Sequence, residues 1–223
     1  MQYFPAFRKI TTTEELNAFA AIYTRCSGFV VPEAYYASNQ VFAVYWQKQM
    51  VGGFVLGTGE RLRTLEVFAG AETRPALYQQ LQAAEAYTEM CCFWMDPAFH
   101  KKTWLNFFVW LCVAYALWTF GTPQLIFGTN SVRLAALYSA TPKCKMLHAD
   151  YINHKKTFIF SGPRRDCLTG VAQILWYKIK RLQKLAGQKG AGVGQPVFIR
   201  NTFKHSRTRP MGTATKVPSP FID

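Results

Sequence analysis

The chain has 223 residues, a formal net charge of +14 at pH 7 and a hydrophobic fraction of 50%. This length fits one domain with appendages, and so apolar a chain is not disordered. The charge predicts an acidic partner, such as nucleic acid, anionic lipid, a phosphate-rich cofactor or an acidic carrier protein.

The positive charge is concentrated in the C-terminal quarter. Residues 163–223 hold twelve Lys and Arg against two acids, whereas residues 1–162 hold fourteen against ten. The six cysteines form no CxxC pair, which favours free thiols in a reducing cytoplasm over disulfides or a metal site. The four scattered histidines add no metal-ligand spacing. The N-terminus lacks the apolar run of a secretory signal peptide, so we expect a cytoplasmic protein.

The N-terminal part predicts a strand, a helix and a β-hairpin. Residues 1–10 form a first strand or an extended lead-in, and Thr11–Glu15 begins a helix with acids in its first turn. Val41–Trp46 and Met50–Gly57 predict two strands joined by a polar turn. The pair Gly52-Gly53 either weakens the second of them or marks a bulge in it.

The next segment predicts two strands on either side of a helix. Arg61–Phe68 alternates less cleanly and is expected to continue the sheet. Arg74-Pro75 opens a helix over Ala76–Ala86. The apolar run Thr88–Trp94 predicts a buried strand.

A basic loop precedes a long apolar helix. The loop, Ala98–Thr103, contains His100, Lys101 and Lys102 in succession. It places positive charge and backbone N–H groups at a helix N-terminus, where phosphates bind. The helix, Trp104–Phe120, is at the short limit for a membrane span. We expect it to be a central buried helix, because strand patterns flank it on both sides.

A strand, a helix and a closing hairpin follow. Gln124–Gly128 predicts the strand, and Thr129-Asn130-Ser131 caps a helix over Val132–Ala140. Cys144–Asn153 and Lys156–Phe160 predict the two strands of the hairpin.

The order of these elements, and two stretches of sequence, resemble the GNAT N-acyltransferase superfamily. In Trp94-Met95-Asp96-Pro97-Ala98-Phe99-His100-Lys101-Lys102-Thr103, the family has a strand end, a Pro, an aromatic residue and then Arg-Gly-x-Gly. In Ile126-Phe127-Gly128-Thr129-Asn130 followed by Ala135-Ala136-Leu137-Tyr138, it has a strand, an Asn and a helix with an Ala-x-x-Leu-Tyr pattern. The resemblance covers about residues 10–162. The glycines of the phosphate loop are absent, with Lys101 and Thr103 in their places.

The resemblance implies an α/β fold with a mixed, mostly antiparallel sheet and helices on both faces. It implies transfer of an acetyl or longer fatty acyl group from a thioester of CoA or of an acyl-carrier protein to a primary amine of a small molecule or peptide. The absent glycines, the positive charge and the many Phe and Trp residues favour a longer acyl chain on CoA or on a carrier protein.

The donor contacts follow from the same resemblance. The backbone of the central strand is expected to hold the thioester arm, with Phe93, Trp94 and Met95 nearest to it. The donor phosphates are expected at His100, Lys101, Lys102 and Thr103. Asn130 either hydrogen-bonds the pantetheine amide or caps the following helix.

Four residues are candidates for proton transfer. Glu89 is an acid in an otherwise apolar strand, where burial would make it a better general base. His148 and Asp150 are two residues apart on a later strand and share one face. Together they are the alternative general base. Tyr138 resembles the family tyrosine that protonates the leaving thiolate. The structural alternatives are a water-facing or ion-paired acid, a satisfied histidine and a core tyrosine.

The C-terminal part predicts a basic amphipathic helix over residues 163–186 and a flexible basic tail over residues 187–223. Apolar residues recur in the helix at helical spacing, and this stripe is covered by the protein's own core, a second subunit, a partner or a membrane. The tail favours an acidic acceptor or carrier and weak contact with anionic membrane or nucleic acid. The alternative to an enzyme is a non-catalytic GNAT-like module that binds anionic lipid or nucleic acid through this segment.

Overall fold

A computed structural model of the chain describes residues 4–58, 61–82, 87–99, 102–152 and 155–190. Two of the expected phosphate ligands, His100 and Lys101, lie outside the described residues. The described strands are β1 Ala6–Ile10, β2 Gln40–Trp46, β3 Gln49–Gly57, β4 Tyr87–Met95, β5 Gln124–Thr129, β6 Lys145–Ile152 and β7 Lys155–Pro163. The described α-helices are α1 Thr13–Ser27, α2 Glu33–Ser38, α3 Arg63–Phe68, α4 Arg74–Gln82, α5 Thr103–Phe120, α6 Val132–Ser139 and α7 Arg164–Gly190.

The seven strands form one sheet in the order β1-β2-β3-β4-β5-β7-β6. Every neighbouring pair is antiparallel except β4 and β5, which run parallel. Parallel neighbours need a crossover connection, and α5 supplies it between β4 and β5. The predicted fold class, a mostly antiparallel sheet with helices on both faces, is confirmed.

The core consists of a layer of side chains on each face of the sheet. On one face, residues of α5, α6 and α7 such as Val113, Ala135 and Val171 pack against the strands. On the other face, α1 and α2 cover β2 to β4, and α3 and α4 cover β5 and β7. The sheet is therefore a central layer, and any opening between its strands connects the two helical layers.

The helix predicted to start at Thr11–Glu15 is confirmed as α1. Thr12 caps it, because its side-chain oxygen accepts a hydrogen bond from the backbone N–H of Glu15. The Thr12 hydroxyl also donates to the Glu15 carboxylate, so this start is fixed by local residues.

The strand predicted over Arg61–Phe68 is wrong, because these residues form α3. Leu62 and Leu65 are three positions apart and both are buried, which is helical spacing on one face. The first N–H groups of α3 are satisfied from a distant strand, where the Glu89 carboxylate accepts from the backbone of Arg63 and Thr64. This partner lies 25 residues away from Thr64, so local alternation could not reveal it.

Among the described residues, α5 is the one helix that is long and apolar enough to cross a membrane by length and composition. One side of it packs on the sheet through residues such as Leu105 and Val113, as expected for a core helix. The other side is not covered, because Leu111, Tyr115 and Trp118 are exposed. The prediction of a central buried helix is therefore correct for the side of α5 that faces the sheet and wrong for the opposite side.

The boundary expected near residue 163 coincides with the junction between β7 and α7. Arg164 begins α7, and its guanidinium donates to the carbonyls of Trp118 and Gly121 at the end of α5. Cys167, Val171 and Ile174 join the core. The first half of α7 therefore docks on the protein's own core, which is one of the alternatives that its apolar stripe left open.

Candidate active site

The two parallel strands at the centre of the sheet separate towards their C-terminal ends. Pairing between β4 and β5 runs from Tyr87↔Gln124 to Met90↔Phe127. Both strands continue beyond that point, β4 to Met95 and β5 to Thr129, without further described pairing. The backbone groups that β4 directs towards β5 are therefore withdrawn from the sheet ladder beyond Met90, where a ligand can use them.

A β-bulge lies in β4 at this opening. Val55 pairs with Cys91 and Gly53 pairs with Trp94, so two residues of β4 oppose a single residue of β3. Cys92 has a positive φ of 50°, which is uncommon for a residue other than glycine. The bulge predicted beside Gly52-Gly53 is present in β3 itself, where Gly52 pairs with Val44 and Met50 with Tyr45, so that Val51 is the extra residue against β2.

The bulge directs two successive side chains to the same face. The Cys91 thiol contacts the Tyr35 hydroxyl at 3.0 Å, and Cys92 joins the core beneath α1 and α2. Phe93 then points to the opposite face, where its ring lies 5.1 Å from that of Trp110. Alternation is interrupted once, at the end of the paired region.

A cavity of about 160 Å³ occupies the opening on the face of α1 to α4, and we call it the β4–β5 cavity. Its walls come from α1 and the loop after it, from α3, from the ends of β4 and β5, and from β7. The lining residues are Tyr23, Ser27, Phe29, Arg63, Thr64, Val67, Phe68, Met90, Cys91, Cys92, Phe93, Gly128, Thr129, Asn130 and Thr157. It is a small, mostly apolar site with one guanidinium in its described wall.

A second depression of about 370 Å³ lies between the N-terminal turns of α5 and α6, and we call it the α5–α6 groove. Its lining residues are Thr103, Asn106, Trp110, Ser131, Arg133, Leu134, Leu137, Ile174, Tyr177 and Lys178. The Arg133 guanidinium lies 4.1 Å above the Tyr177 ring, so α7 closes one side of the groove. Two helix N-termini and two cations make this groove suited to an anion.

The sequence analysis missed Arg133 and Lys178. Arg133 is the second residue of α6, two positions after the Ser131 cap, which was a local signal for an anion site at that helix start. Lys178 is fourteen residues into α7, and no local pattern shows that this helix returns to the start of α6.

The residues expected to hold the thioester arm separate into one that reaches the cavity and two that do not. Phe93 lines the β4–β5 cavity. Trp94 is buried beside Phe19 with ring centroids 5.7 Å apart. Met95 is buried too, and its sulfur accepts from the Asn106 side chain at 3.3 Å. The side chains of Trp94 and Met95 therefore support the strand, and only their backbone can contact a donor.

The remaining donor candidates lie at the starts of the two helices. Thr103 begins α5 and lines the α5–α6 groove. Lys102 is exposed, and its ammonium lies 4.9 Å from the Phe99 ring centroid. Asn130 lines the β4–β5 cavity and does not cap α6, because Ser131 accepts from the Leu134 N–H. The capping alternative for Asn130 is wrong.

Glu89 is fully buried and is occupied by hydrogen bonds. Its carboxylate accepts from the Tyr35 hydroxyl at 2.7 Å, from the Arg63 N–H at 2.9 Å and from the Thr64 N–H. It is not among the lining residues of the β4–β5 cavity. Burial and the neighbouring thiol and carboxylate raise the pKa of Tyr35, so this phenol keeps its proton. Glu89 therefore anchors α3 to β4. Its role as a general base stays a prediction.

Tyr138 lies in the core. Its ring is 4.5 Å from the Phe127 centroid and 6.0 Å from the Phe160 centroid, and only 4% of the residue is exposed. Burial raises the pKa of its phenol, with smaller contributions from nearby thiols. Tyr138 lines neither the cavity nor the groove. The packing matches the structural alternative for this residue.

His148 is distant from the opening. It lies on β6, the edge strand, which is separated from β4 by β7 and β5. Three strand spacings amount to about 14 Å. His148 and Asp150 share a face as expected, with Nε2 and a carboxylate oxygen 4.0 Å apart. The structure brings the pair together but not to the cavity.

Comparison with known proteins identifies the architecture. No family model matches the chain, and no curated protein sequence matches it. FeeM, an N-acyl amino acid synthase from uncultured soil microbes, superposes with a TM-score of 0.53 at 14% identity, over 73% of this chain and 92% of FeeM. An agmatine N-acetyltransferase superposes with a TM-score of 0.49 at 14% identity, over 72% of this chain and 100% of the acetyltransferase.

The chain has the GNAT fold. The predicted resemblance is therefore confirmed for the architecture. In this GNAT fold the β4–β5 cavity and the α5–α6 groove lie on opposite faces of the sheet. Phe93 is a lining residue of the cavity and Trp110 of the groove, and their rings lie 5.1 Å apart on the groove side of the sheet.

Proposed function

We propose that the protein is an N-acyltransferase that moves an acyl group from a thioester of CoA or of an acyl-carrier protein to a primary amine. The observation that carries the proposal is the opened pair β4 and β5 with a bulge at Cys92, flanked by a cavity on one face and a cationic groove on the other. A thioester arm that crosses the sheet at this point would bring the two sites together.

The α5–α6 groove supports binding of the donor's phosphates. Arg133 and Lys178 supply positive charge, and Thr103 and Ser131 stand at the two helix starts. Phosphates interact favourably with helix N-termini and with such cations. Lys102 adds a cation at the start of α5, and the expected contributions of His100 and Lys101 belong to the same proposal.

The chemistry requires attack by the amine nitrogen on the thioester carbonyl carbon. A C–N bond forms, the carbonyl oxygen becomes an oxyanion, and the C–S bond then breaks to release a thiolate. The proposed donors to the oxyanion are those backbone N–H groups of the bulged segment Cys91–Trp94 that point towards β5, because pairing with β5 ends at Met90. One proton leaves the amine and one is taken up by the thiolate.

The proposed acyl group is longer than acetyl. Trp110, Leu134, Leu137 and Ile174 give the α5–α6 groove an apolar wall beside its cations, which suits the donor's less polar parts. The acceptor is a small amine rather than a long peptide, because the β4–β5 cavity holds only about 160 Å³. FeeM, which has the same fold, is an N-acyl amino acid synthase, so this fold carries N-acylation of a small amine elsewhere.

The test is a reaction of the purified protein with acetyl-CoA, octanoyl-CoA, palmitoyl-CoA and palmitoyl-acyl-carrier protein, each with a mixture of amines. Mass spectrometry of the products and an assay for released thiol are the measurements. We expect an N-acyl product with an equivalent of thiol, and more of it from the longer donors. Thiol release without an N-acyl product would identify a thioesterase instead.

The non-catalytic alternative has its own readout in the same samples. A binding module would give neither thiol nor product, and would bind anionic liposomes or oligonucleotides with a steep dependence on salt. Turnover with any of the four donors would exclude it.

A further inference from the structure

The β4–β5 cavity has one cationic side chain among its described lining residues. Arg63, the first residue of α3, is half-buried there, and its neighbours in the wall are uncharged at neutral pH. The ion pairs among the described residues are Arg8–Glu15, Arg74–Glu66 and His148–Asp150. None of them neutralises Arg63. A half-buried guanidinium that faces a largely apolar site is stabilised by an anion placed opposite it.

The Arg63 guanidinium is held in place but is not consumed by its protein contacts. One nitrogen, Nη2, donates to the Val30 carbonyl at 2.8 Å, and the group lies 5.8 Å from the Tyr35 ring centroid. Arg carries five N–H donors, so most of its capacity remains for a ligand. The nearby Glu89 carboxylate is taken by the backbone of α3 and by Tyr35.

The anion that faces Arg63 belongs to the acceptor rather than to the donor. The α5–α6 groove, on the other face of the sheet, already has Arg133 and Lys178 for phosphates. The β4–β5 cavity is too small for a nucleotide, at about 160 Å³, and its remaining wall includes Tyr23, Phe29 and Phe68. An acceptor that fits has an amine, one compact anionic group and an apolar side chain.

We propose that Arg63 binds the carboxylate of the acceptor, and that the acceptor is an α-amino acid with an apolar side chain. This inference rests on the proposed N-acyltransferase function and names its substrate class. The planar guanidinium matches a carboxylate through two parallel N–H···O bonds. The carboxylate on Arg63 fixes one end of the amino acid, the apolar wall takes its side chain, and the amine is left to face the bulge of β4.

The first arm of the test compares amines that differ in the carboxylate. Dodecanoyl-CoA is the donor, and phenylalanine, phenethylamine and leucine are offered separately, with isoamylamine as the decarboxylated partner of leucine. We expect kcat/KM to favour each amino acid over its decarboxylated partner by about 10- to 100-fold, the usual value of a hydrogen bond to a charged group. O-phosphoethanolamine, which offers a phosphate in place of the carboxylate, is expected to react poorly.

The second arm changes the guanidinium. Arg63→Gln keeps the backbone N–H that Glu89 accepts, so α3 should remain docked. We expect it to lower kcat/KM for phenylalanine by about 10- to 100-fold and to leave phenethylamine within about threefold. Arg61→Gln is the matched control, because Arg61 is exposed two residues earlier and does not line the cavity. Thermal unfolding of both variants checks the fold.

Calorimetric titration with phenylalanine in the presence of CoA separates this inference from the function on which it rests. Binding by the wild type and its loss in Arg63→Gln supports the carboxylate site whether or not turnover is observed. Absence of any N-acyl product would overturn the N-acyltransferase function alone. Equal use or binding of phenylalanine and phenethylamine, equal losses for both in Arg63→Gln, or a preference for O-phosphoethanolamine would overturn the carboxylate assignment.

Discussion

Glu89 joins two elements through one carboxylate. Its three hydrogen bonds come from Tyr35 and from the first two N–H groups of α3. A carboxylate at a helix N-terminus is stabilised both by these donors and by the helix dipole. Its removal therefore disturbs α3, and with it the wall of the β4–β5 cavity.

We predict that Glu89→Gln destabilises the protein by about 1–3 kcal/mol, because an amide loses the charge and turns N–H donors towards the donors of α3. Denaturant unfolding measures this change. Glu66→Gln is the control, since that acid is exposed and pairs with Arg74, so its loss should cost less than about 1 kcal/mol. Normal stability with a large loss of kcat in Glu89→Gln would instead identify Glu89 as the general base.

The variant Tyr138→Phe distinguishes the general-acid role that the family resemblance implies from the packing role that the structure shows. A general acid contributes about 10²- to 10⁴-fold in rate, so the resemblance predicts a loss of that size in kcat. The ring is 4% exposed between Phe127 and Phe160, and we therefore expect kcat within about threefold of wild type and an unchanged melting temperature. A hundredfold drop in kcat with intact stability would show that the phenol reaches the leaving thiolate.

The sequence identified β4 as the strand beside the candidate site, but not all of the residues that line the cavity. Phe93, Asn130 and Thr103 were named from the family resemblance, and each lines the cavity or the groove. Arg63 was missed because it was assigned to a strand, and the Glu89 contact that caps its helix is non-local. Which neighbours of Phe93 face the cavity depends on the bulge at Cys92, which alternation alone cannot locate.

At the scale of elements, the predictions succeeded where the signal lies within one segment. The hairpin of β2 and β3, the helix α5 and the closing hairpin of β6 and β7 all have clear periodicity and turn residues. The assignment of α3 failed because six residues give too short a window to separate the two periods. The position of α7 could not be predicted either, because the sequence of an amphipathic helix does not show which surface covers its apolar face.

The docking of α7 depends on a glycine. A Cβ at Gly170 would lie 2.5 Å from Cε1 of Tyr138, in the contact between α7 and α6. In a free helix, Gly→Ala stabilises by about 1 kcal/mol, because alanine restricts the unfolded chain and favours the helix. The close contact reverses this sign, since an added methyl in a packed core costs about 1–3 kcal/mol.

We therefore predict that Gly170→Ala destabilises the protein and weakens donor binding, because α7 supplies Tyr177 and Lys178 to the α5–α6 groove. Chemical unfolding and titration with CoA are the two measurements. Thr169→Ala, an exposed change one position earlier on α7, should leave CoA binding unchanged and raise stability by less than about 1 kcal/mol, because alanine favours the helix. A more stable Gly170→Ala protein would mean that α7 is not docked as described.

At the scale of the whole molecule, charge separates the two proposed donors. The net charge is +14, and residues 163–223 contribute +10 of it. An acyl-carrier protein with an acidic surface would be attracted over distances beyond its contact site, whereas CoA would place its phosphates in the proposed groove itself. Salt screens the first kind of attraction more strongly, because the Debye length falls from about 30 Å at 0.01 M to about 10 Å at 0.1 M.

The last prediction uses three donors that share one acyl group and one pantetheine arm. We measure kcat/KM between about 0.02 and 0.3 M NaCl. It should fall steeply for acyl-carrier protein, by about tenfold from the loss of electrostatic steering, and moderately for acyl-CoA. It should stay nearly constant for acyl-pantetheine, which has no phosphate and serves as the uncharged control. A chain that ends at Gly190 keeps all the described elements, and we expect it to lose rate with the carrier at low salt while keeping its rate with acyl-pantetheine. Identical salt profiles for the carrier and for acyl-pantetheine would show that the charge does not recruit the donor, and would leave acyl-CoA as the donor to pursue.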